Sequence, residues 1–342
     1  MVMKQIRSMR RFFTYPAFLA LLLMAVLAGC QQEPRPQADD VIRFSVSSVG
    51  ISSALTKADP AIPAPDAIER PDNLLNQSGS QVKVWASLST DNTNWKKVFD
   101  DPSTLIENVN GAWTYSGDKY WNRDAGYKFI ALYPVDATIQ SGSDVDKIMV
   151  NYKDNTQDLM VASTKLQGSG AKTVDLAFEH TCSAVRVFFV DPDRGEQGVR
   201  YKITDFELQN LYMAGLLTKD YLKFTWATSG ERTAGYSWPA STGSSWDVPA
   251  TYTAFTPWLF FIPQALADNS ALSFTYEVNL GDDGTQLLPV TIPINKYNNT
   301  DIVWESGKMY TYYVMIRPTS IEISVEWTDW EIDGNDDTLT IE

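Results

Sequence analysis

Val174-Asp-Leu-Ala-Phe-Glu-His-Thr-Cys-Ser-Ala-Val-Arg-Val-Phe-Phe-Val190 is the stretch on which the fold of this chain turns. Val174, Leu176 and Phe178 alternate with Asp175, Ala177 and Glu179, and Val185, Val187 and Phe189 alternate with Arg186 and Phe188. Period-two alternation of β-branched and aromatic residues marks half-buried strands, because successive side chains of a strand point to opposite faces. His180 to Ser183 breaks the rhythm. The stretch lies near the middle of 342 residues, with enough chain on each side for a domain. It reads as the place where one β-sandwich gives way to another: residues 41–172 form the first and 173–342 the second.

The apolar fraction of 44% is enough for real cores. The formal charge is -14. Residues 1–29 hold Lys4, Arg7, Arg10 and Arg11 and no acid, so the remainder carries 24 basic and 42 acidic residues. Such acidity argues against nucleic acid as a partner and against an electrostatic hold on anionic lipid. The two cysteines are Cys30 and Cys182 and the one histidine is His180. With Cys30 assigned below to another task, no disulfide framework is left.

The basic residues 1–11 precede an apolar run, Phe12 to Ala28, which is short for a membrane span and contains Pro16. A basic start, an apolar middle and small residues at the end describe a secretory signal over 1–29. Leu27-Ala28-Gly29-Cys30 resembles the lipobox of bacterial lipoproteins, which implies acylation of Cys30 as the new N-terminus. Gln31 is not an aspartate, and by the same resemblance the product goes to the outer membrane. Stable anchoring takes more than one acyl chain. Residues 30–40 read as a polar tether.

Val41 to Val49 alternates as a strand with Ile42, Phe44 and Val46 on one face. Ser52 to Ser80 follows, with Pro60, Pro63, Pro65 and Pro71 and few apolar residues. Unstructured runs of this length inside a domain are uncommon and usually functional. Lys57 and Arg70 stand in it as accessible protease sites, so the first strand is detachable; an ordinary flexible linker has the same composition. Further strands are expected around Val82–Ala86, Trp113–Tyr115, Lys119–Trp121, Tyr127–Pro134 and Gln157–Ala162. Beyond Val190 they are expected at Tyr201–Leu208, Tyr221–Trp226, Trp258–Ile262, Leu272–Leu280, Leu287–Ile294, Met309–Ile316 and Ile321–Trp330. Gly281 to Gly284 is a hairpin signal, and Pro289 and Pro293 favour an edge position for the strand after it. Short strands with turn residues between them and no amphipathic helix make an all-β sandwich protein.

Catalytic constellations are weak. His180 and Cys182 are two apart, too constrained for a nucleophile and its base, and suit packing or hydrogen bonding. One histidine and one free cysteine do not make a zinc site. Asp333, Asn335 and Asp337 echo a calcium loop, but Thr338 takes the place of its glycine. Asp100-Asp101 and Asp282-Asp283 read as solvated turns. No metal and no cofactor is expected, and no enzymatic activity. Trp238, Trp246 and Trp258, with Trp226, Tyr236 and Tyr252, offer either core filling or a stacking surface for a glycan, since aromatic faces contact sugar rings well.

The order of these motifs resembles the fimbrillins of the Bacteroidales, subunits of the lipoprotein-derived type V pili. The features that carry the likeness are the lipobox at Cys30, an early strand followed by a basic residue, and Tyr120-Trp121 before Phe129-Ile-Ala-Leu-Tyr-Pro134. Asp158-Leu-Met-Val-Ala162, the stretch with His180, Phe260-Phe-Ile-Pro-Gln264, and a last strand ending in Trp327 and Trp330 complete them. The resemblance implies two tandem transthyretin-like β-sandwiches and a structural or adhesive subunit at the cell surface. Its partners would be other fimbrial subunits, and the precursor would reach the outer membrane as a lipoprotein. It implies that a protease cuts after Lys57 or Arg70 and removes the first strand, leaving a groove for a strand of the next subunit. Lysine at 57, where the family usually has arginine, leaves the protease open. The strand at Ile321–Trp330 with its tail to Glu342 is the expected donor; Leu339 and Ile341 would be anchors of the tail.

Overall fold

The computed structural model describes residues 40–48, 75, 77–101, 103–144, 146–153, 155–168, 173–194, 199–238, 244–279 and 284–330. Among them there is no α-helix, and no helix is long and apolar enough to cross a membrane. One compact unit begins at Ile42. Its first half holds β1 (Arg43–Ser48), β2 (Gln81–Ser89), β3 (Lys96–Lys97), β4 (Thr104–Val109), β5 (Ala112–Thr114), β6 (Gly126–Tyr133), β7 (Thr138–Ile139), β8 (Lys147–Tyr152), β9 (Met160–Gln167) and β10 (Thr173–His180). The second half begins with β11 (Ser183–Val190), β12 (Arg200–Gln209), β13 (Ala214–Asp220), β14 (Phe224–Ser229), β15 (Tyr236–Trp238), β16 (Trp246–Asp247), β17 (Thr253–Ala254) and β18 (Leu259–Phe261). It ends with β19 (Gln264–Ala265), β20 (Ala271–Asn279), β21 (Thr285–Pro293), β22 (Lys296–Tyr297), β23 (Thr300–Asp301), β24 (Val303–Trp304), β25 (Lys308–Ile316) and β26 (Ile321–Asp329).

The sheet of the first half runs β3-β2-β4-β5-β1-β10-β9-β6, and β6 pairs again with β2. Seven of its strands therefore close into a ring, although β1 meets β5, and β10 meets β9, at only one or two residue pairs. Inside lie Ile42, Phe44, Val82, Val84, Tyr127, Phe129, Val174, Leu176 and Phe178. The alternation that predicts β10 is borne out: Val174, Leu176, Phe178 and His180 are buried and the residues between them exposed. An Asn110-Gly111 turn with positive φ at both residues (54° and 89°) joins β4 to β5, as the right-handed twist of a tight hairpin demands.

In the second half, β11 runs parallel to β25 at the centre of one sheet, with β26 at its edge. A second sheet is ordered β15-β12-β20-β21. Phe189, Phe206, Phe261, Phe274, Trp304 and Tyr312 fill the space between them. β20 and β21 pair antiparallel from Asn279 opposite Thr285, with the two prolines on that edge strand, while Gly281 to Asp283 of the expected hairpin turn lie outside the described residues. A four-stranded sheet, β14-β13-β8-β7, pairs β8 of the first half with β13 of the second. Against it packs a third cluster with Trp85, Ile130, Val150, Cys182, Leu217, Phe260 and Trp330. The chain passes from the first ring to the second half at Thr181–Cys182, between β10 and β11.

Some expectations shift. Lys119–Trp121 is not a strand; Tyr120 makes only an isolated bridge there, and the Lys119 carbonyl caps Ile42 instead. The residues at 221–223 turn, and β14 starts at Phe224. Within 227–257 the short strands β15, β16 and β17, none of them expected, pair onto β12 and β11.

Candidate functional site: the seat of the first strand

β1 is held between two strands that are distant in sequence. Along β10 it runs parallel for its whole length, from Arg43 opposite Thr173 to Ser48 opposite Phe178. On the other side it meets β5 in one antiparallel pair, Phe44 with Trp113. Its alternation matches the seat. Ile42 is fully buried, Phe44 nearly so and Val46 half-buried against the same cluster, while Arg43, Ser45 and Ser47 are exposed. Phe44 meets Tyr115 and Phe129 edge to face, with ring centroids 5.5 and 6.0 Å apart. The Ile42 amide donates to the Lys119 carbonyl (2.8 Å), and the Tyr115 hydroxyl donates to the Ile42 carbonyl (3.0 Å). Burial pushes the Tyr115 phenol up from its ordinary value, so it stays a neutral donor.

The energetics follow from this geometry. Burying two large side chains contributes about 3–6 kcal/mol. The ladder along β10 adds about 1 kcal/mol per hydrogen bond. β10 depends on this ladder, since β9 pairs with it only at Glu179 and His180. Without β1 the ring would open between β5 and β10, baring the apolar faces of Val174, Leu176 and Phe178 and a row of unpaired backbone groups. Such an edge is a template for another strand.

At the C-terminal end of β10, His180 is buried, with Nδ1 2.5 Å from Asp158 Oδ2. Its ring stacks on Trp330, 3.8 Å between centroids, and Trp330 stacks in turn on Phe260. Burial pushes the Cys182 thiol far up, which leaves it unreactive. The role of these residues is therefore packing and hydrogen bonding where the two halves meet. Gln264, at the end of the Phe260–Gln264 motif, is buried and bridges both backbone groups of Tyr212: its Oε1 accepts at 2.9 Å and its Nε2 donates at 3.0 Å. Its function is to fix a loop, a role that the motif alone did not reveal.

The tryptophans fall into two groups, each packed on a different core cluster. Trp238 and Trp246 each meet Phe255 edge to face at 5.1 Å and pack on the core of the second half. Trp226 and Trp258 pack on the cluster that joins the halves, Trp226 donating to the Thr181 carbonyl (2.8 Å) and Trp258 lying under Arg186. Asp100 pairs with Lys119 at 2.9 Å. Among the described residues no group of three or more His, Cys, Asp or Glu is placed to hold a metal ion. Cys30, Lys57, Arg70, Asp282, Asp283 and the segment after Trp330, with Asp333, Asn335, Asp337, Leu339 and Ile341, lie outside the described residues.

β26, the expected donor, is paired with β25 along all nine residues. Val325 is buried in the core of the second half. A sequence relation adds to this. Ile321-Glu-Ile323-Ser-Val325 repeats the spacing and the serine of Ile42-Arg-Phe44-Ser-Val46.

The family model for fimbrillin-like proteins matches residues 70–330. No curated protein matches the chain. Among solved structures the chain is similar to a fimbrial protein of Bacteroides vulgatus, with 17% identity, a TM-score of 0.51, and 73% of this chain and 93% of that one covered. It is also similar to proteins assigned to cell adhesion in Bacteroides uniformis (15% identity, TM-score 0.49, 86% of this chain and 100% of that one) and in Bacteroides ovatus (14% identity, TM-score 0.48, 86% and 98%). At this identity the likeness to the Bacteroides vulgatus protein speaks for the fold alone.

Proposed function

Because the chain belongs to the fimbrillin-like family, we propose that it is a structural or adhesive subunit of a cell-surface fimbria, built from two tandem transthyretin-like sandwiches and assembled by strand exchange. The observation that carries the proposal is the place of β1. It closes a ring of strands, is bound by only a few side chains, and is followed in sequence by the proline-rich run that contains Lys57 and Arg70. The family match begins at Arg70 and so leaves β1 outside it. In this reading Cys30 is acylated, the precursor is carried to the outer membrane, and cleavage after Lys57 or Arg70 frees the segment that contains β1. The opened seat then takes a strand from the next subunit, and the repeated spacing makes Ile321, Ile323 and Val325 the residues suited to the places of Ile42, Phe44 and Val46. A donor strand of this kind must leave its pairing with β25, so donation and acceptance both require an edge to be vacated.

The test is cleavage of the folded full chain with a lysine- or arginine-specific protease, followed by gel filtration and unheated gel electrophoresis. The expected result is loss of the β1 fragment and a ladder of detergent-resistant oligomers. A cleaved protein that sheds the fragment and stays monomeric would overturn the proposal.

A further inference from the structure

The seat of β1 must hold a strand in one register, and alternation alone does not achieve this. A slip by one residue turns every apolar side chain outward and is rejected by the core. A slip by two keeps the apolar face inward and is not. The ladder with β10 repeats every two residues and carries no mark that distinguishes such registers. β5 contributes a single pair.

Tyr115 touches the seated strand at two points. Its hydroxyl donates to the carbonyl of Ile42 at 3.0 Å and accepts from the Lys119 amide at 3.1 Å, while the Ile42 amide donates to the Lys119 carbonyl at 2.8 Å. Its ring meets Phe44 at 5.5 Å and is backed by Phe99 at 5.9 Å. One side chain thus spans from the backbone carbonyl at position 42 to the aromatic ring two positions on. A slip by two in one direction puts Val46 where Phe44 stands and loses both edge-to-face contacts; a slip in the other brings Asp40 to the place of Ile42.

We propose that Tyr115 sets the register of the first strand in its seat, holding it parallel to β10 with the Ile42 carbonyl and the Phe44 ring each at one fixed place. This rests on the reading of the seat as a strand acceptor.

The test uses the full chain with a specific protease site placed within 58–70, cut in the folded state. Two labelled peptides are offered: residues 41–48, and a permuted peptide with Phe at position 42, Val at 44 and Ile at 46. The wild-type chain should release the permuted peptide at least about tenfold faster, a difference on the order of one good contact. Tyr115→Phe should speed release of the native peptide about fivefold, and Tyr115→Ala should reduce the discrimination to what the Phe129 contact alone supplies. Should the variants not fold, the native peptide with a thioamide in place of the Ile42 carbonyl, a weaker acceptor for the Tyr115 hydroxyl, should leave the wild-type chain about threefold faster. Unchanged discrimination in the variants, or equal release of the thioamide peptide, overturns the role of Tyr115 and leaves the acceptor reading standing. Failure of every peptide to enter the cut wild-type chain overturns the acceptor reading, and this inference with it.

Discussion

Replacing Phe44 by alanine probes the seat directly. Phe44 is 6% exposed and touches Tyr115 and Phe129 edge to face. Truncation of a buried phenylalanine costs about 3–5 kcal/mol, as lost transfer energy plus the cavity left behind. The loss falls on β1, whose departure does not require the second half to unfold, so local opening registers it better than global melting. Native-state hydrogen exchange is the assay. The amides of β10 between Asp175 and Phe178, where β1 is the strand partner, should lose protection by a factor of about 100–4,000, since each 1.4 kcal/mol is tenfold. Those of β12 and β20, whose partners lie wholly in the second half, should not change. Val109→Ala, at a residue 45% exposed, serves as control and should change nothing beyond about threefold. If Phe44→Ala leaves the protection of β10 within threefold as well, β1 is not what holds β10 and the account of the seat fails.

Three further outcomes are expected. Asp158→Ala strands a buried His180 without its partner and should cost about 1–3 kcal/mol, read by urea unfolding; an unchanged midpoint would remove the pair from the junction between the halves. Lys219 is 1% exposed, and burial, partly offset by Glu179 and Asp220, lowers its pKa below 10.5. The unfolded chain then binds more protons, so stability rises with pH toward 10.5 on this account. Lys219→Met should stabilise the protein near neutrality and flatten that rise below pH 10.5; a steeper rise would contradict the sign. Cys182, fully buried with its thiol pushed up, should react with an aromatic disulfide reagent only on unfolding, and fast reaction of the native protein would refute the packing at Thr181–Cys182.

How much of this was legible in the sequence differs by element. β10 and β11 were readable because clean alternation reports a half-buried face locally. β1 was readable as a strand, but its partner was not: β10 lies some 130 residues away, and parallel pairing leaves no turn signal between partners. The closing of the ring through β2 and β6 is likewise a long-range fact. β4 and β13 escaped notice for local reasons. Thr104-Leu-Ile-Glu-Asn-Val109 puts Leu105 on the outside and buries Asn108, and Ala214-Gly-Leu-Leu-Thr-Lys-Asp220 contains a glycine and buries a lysine. Both contradict simple hydrophobic patterning. The aromatic count near 226–258 was plain, but whether a ring faces Phe255 or solvent depends on which strands pair, and short strands such as β15 and β16 are too brief for periodicity to show. Gln264 stood in a motif whose meaning appeared only when its amide was seen against the backbone of Tyr212.

The central claim is that the first strand is a removable occupant of its seat. The most direct measurement is the N-terminus of the protein in fibres sheared from cells, read by mass spectrometry. The account predicts a free N-terminus at Ala58 or Pro71, with Arg43–Ser48 gone from the assembled subunit. An acylated Cys30 on every chain, with nothing released by shearing, would contradict it.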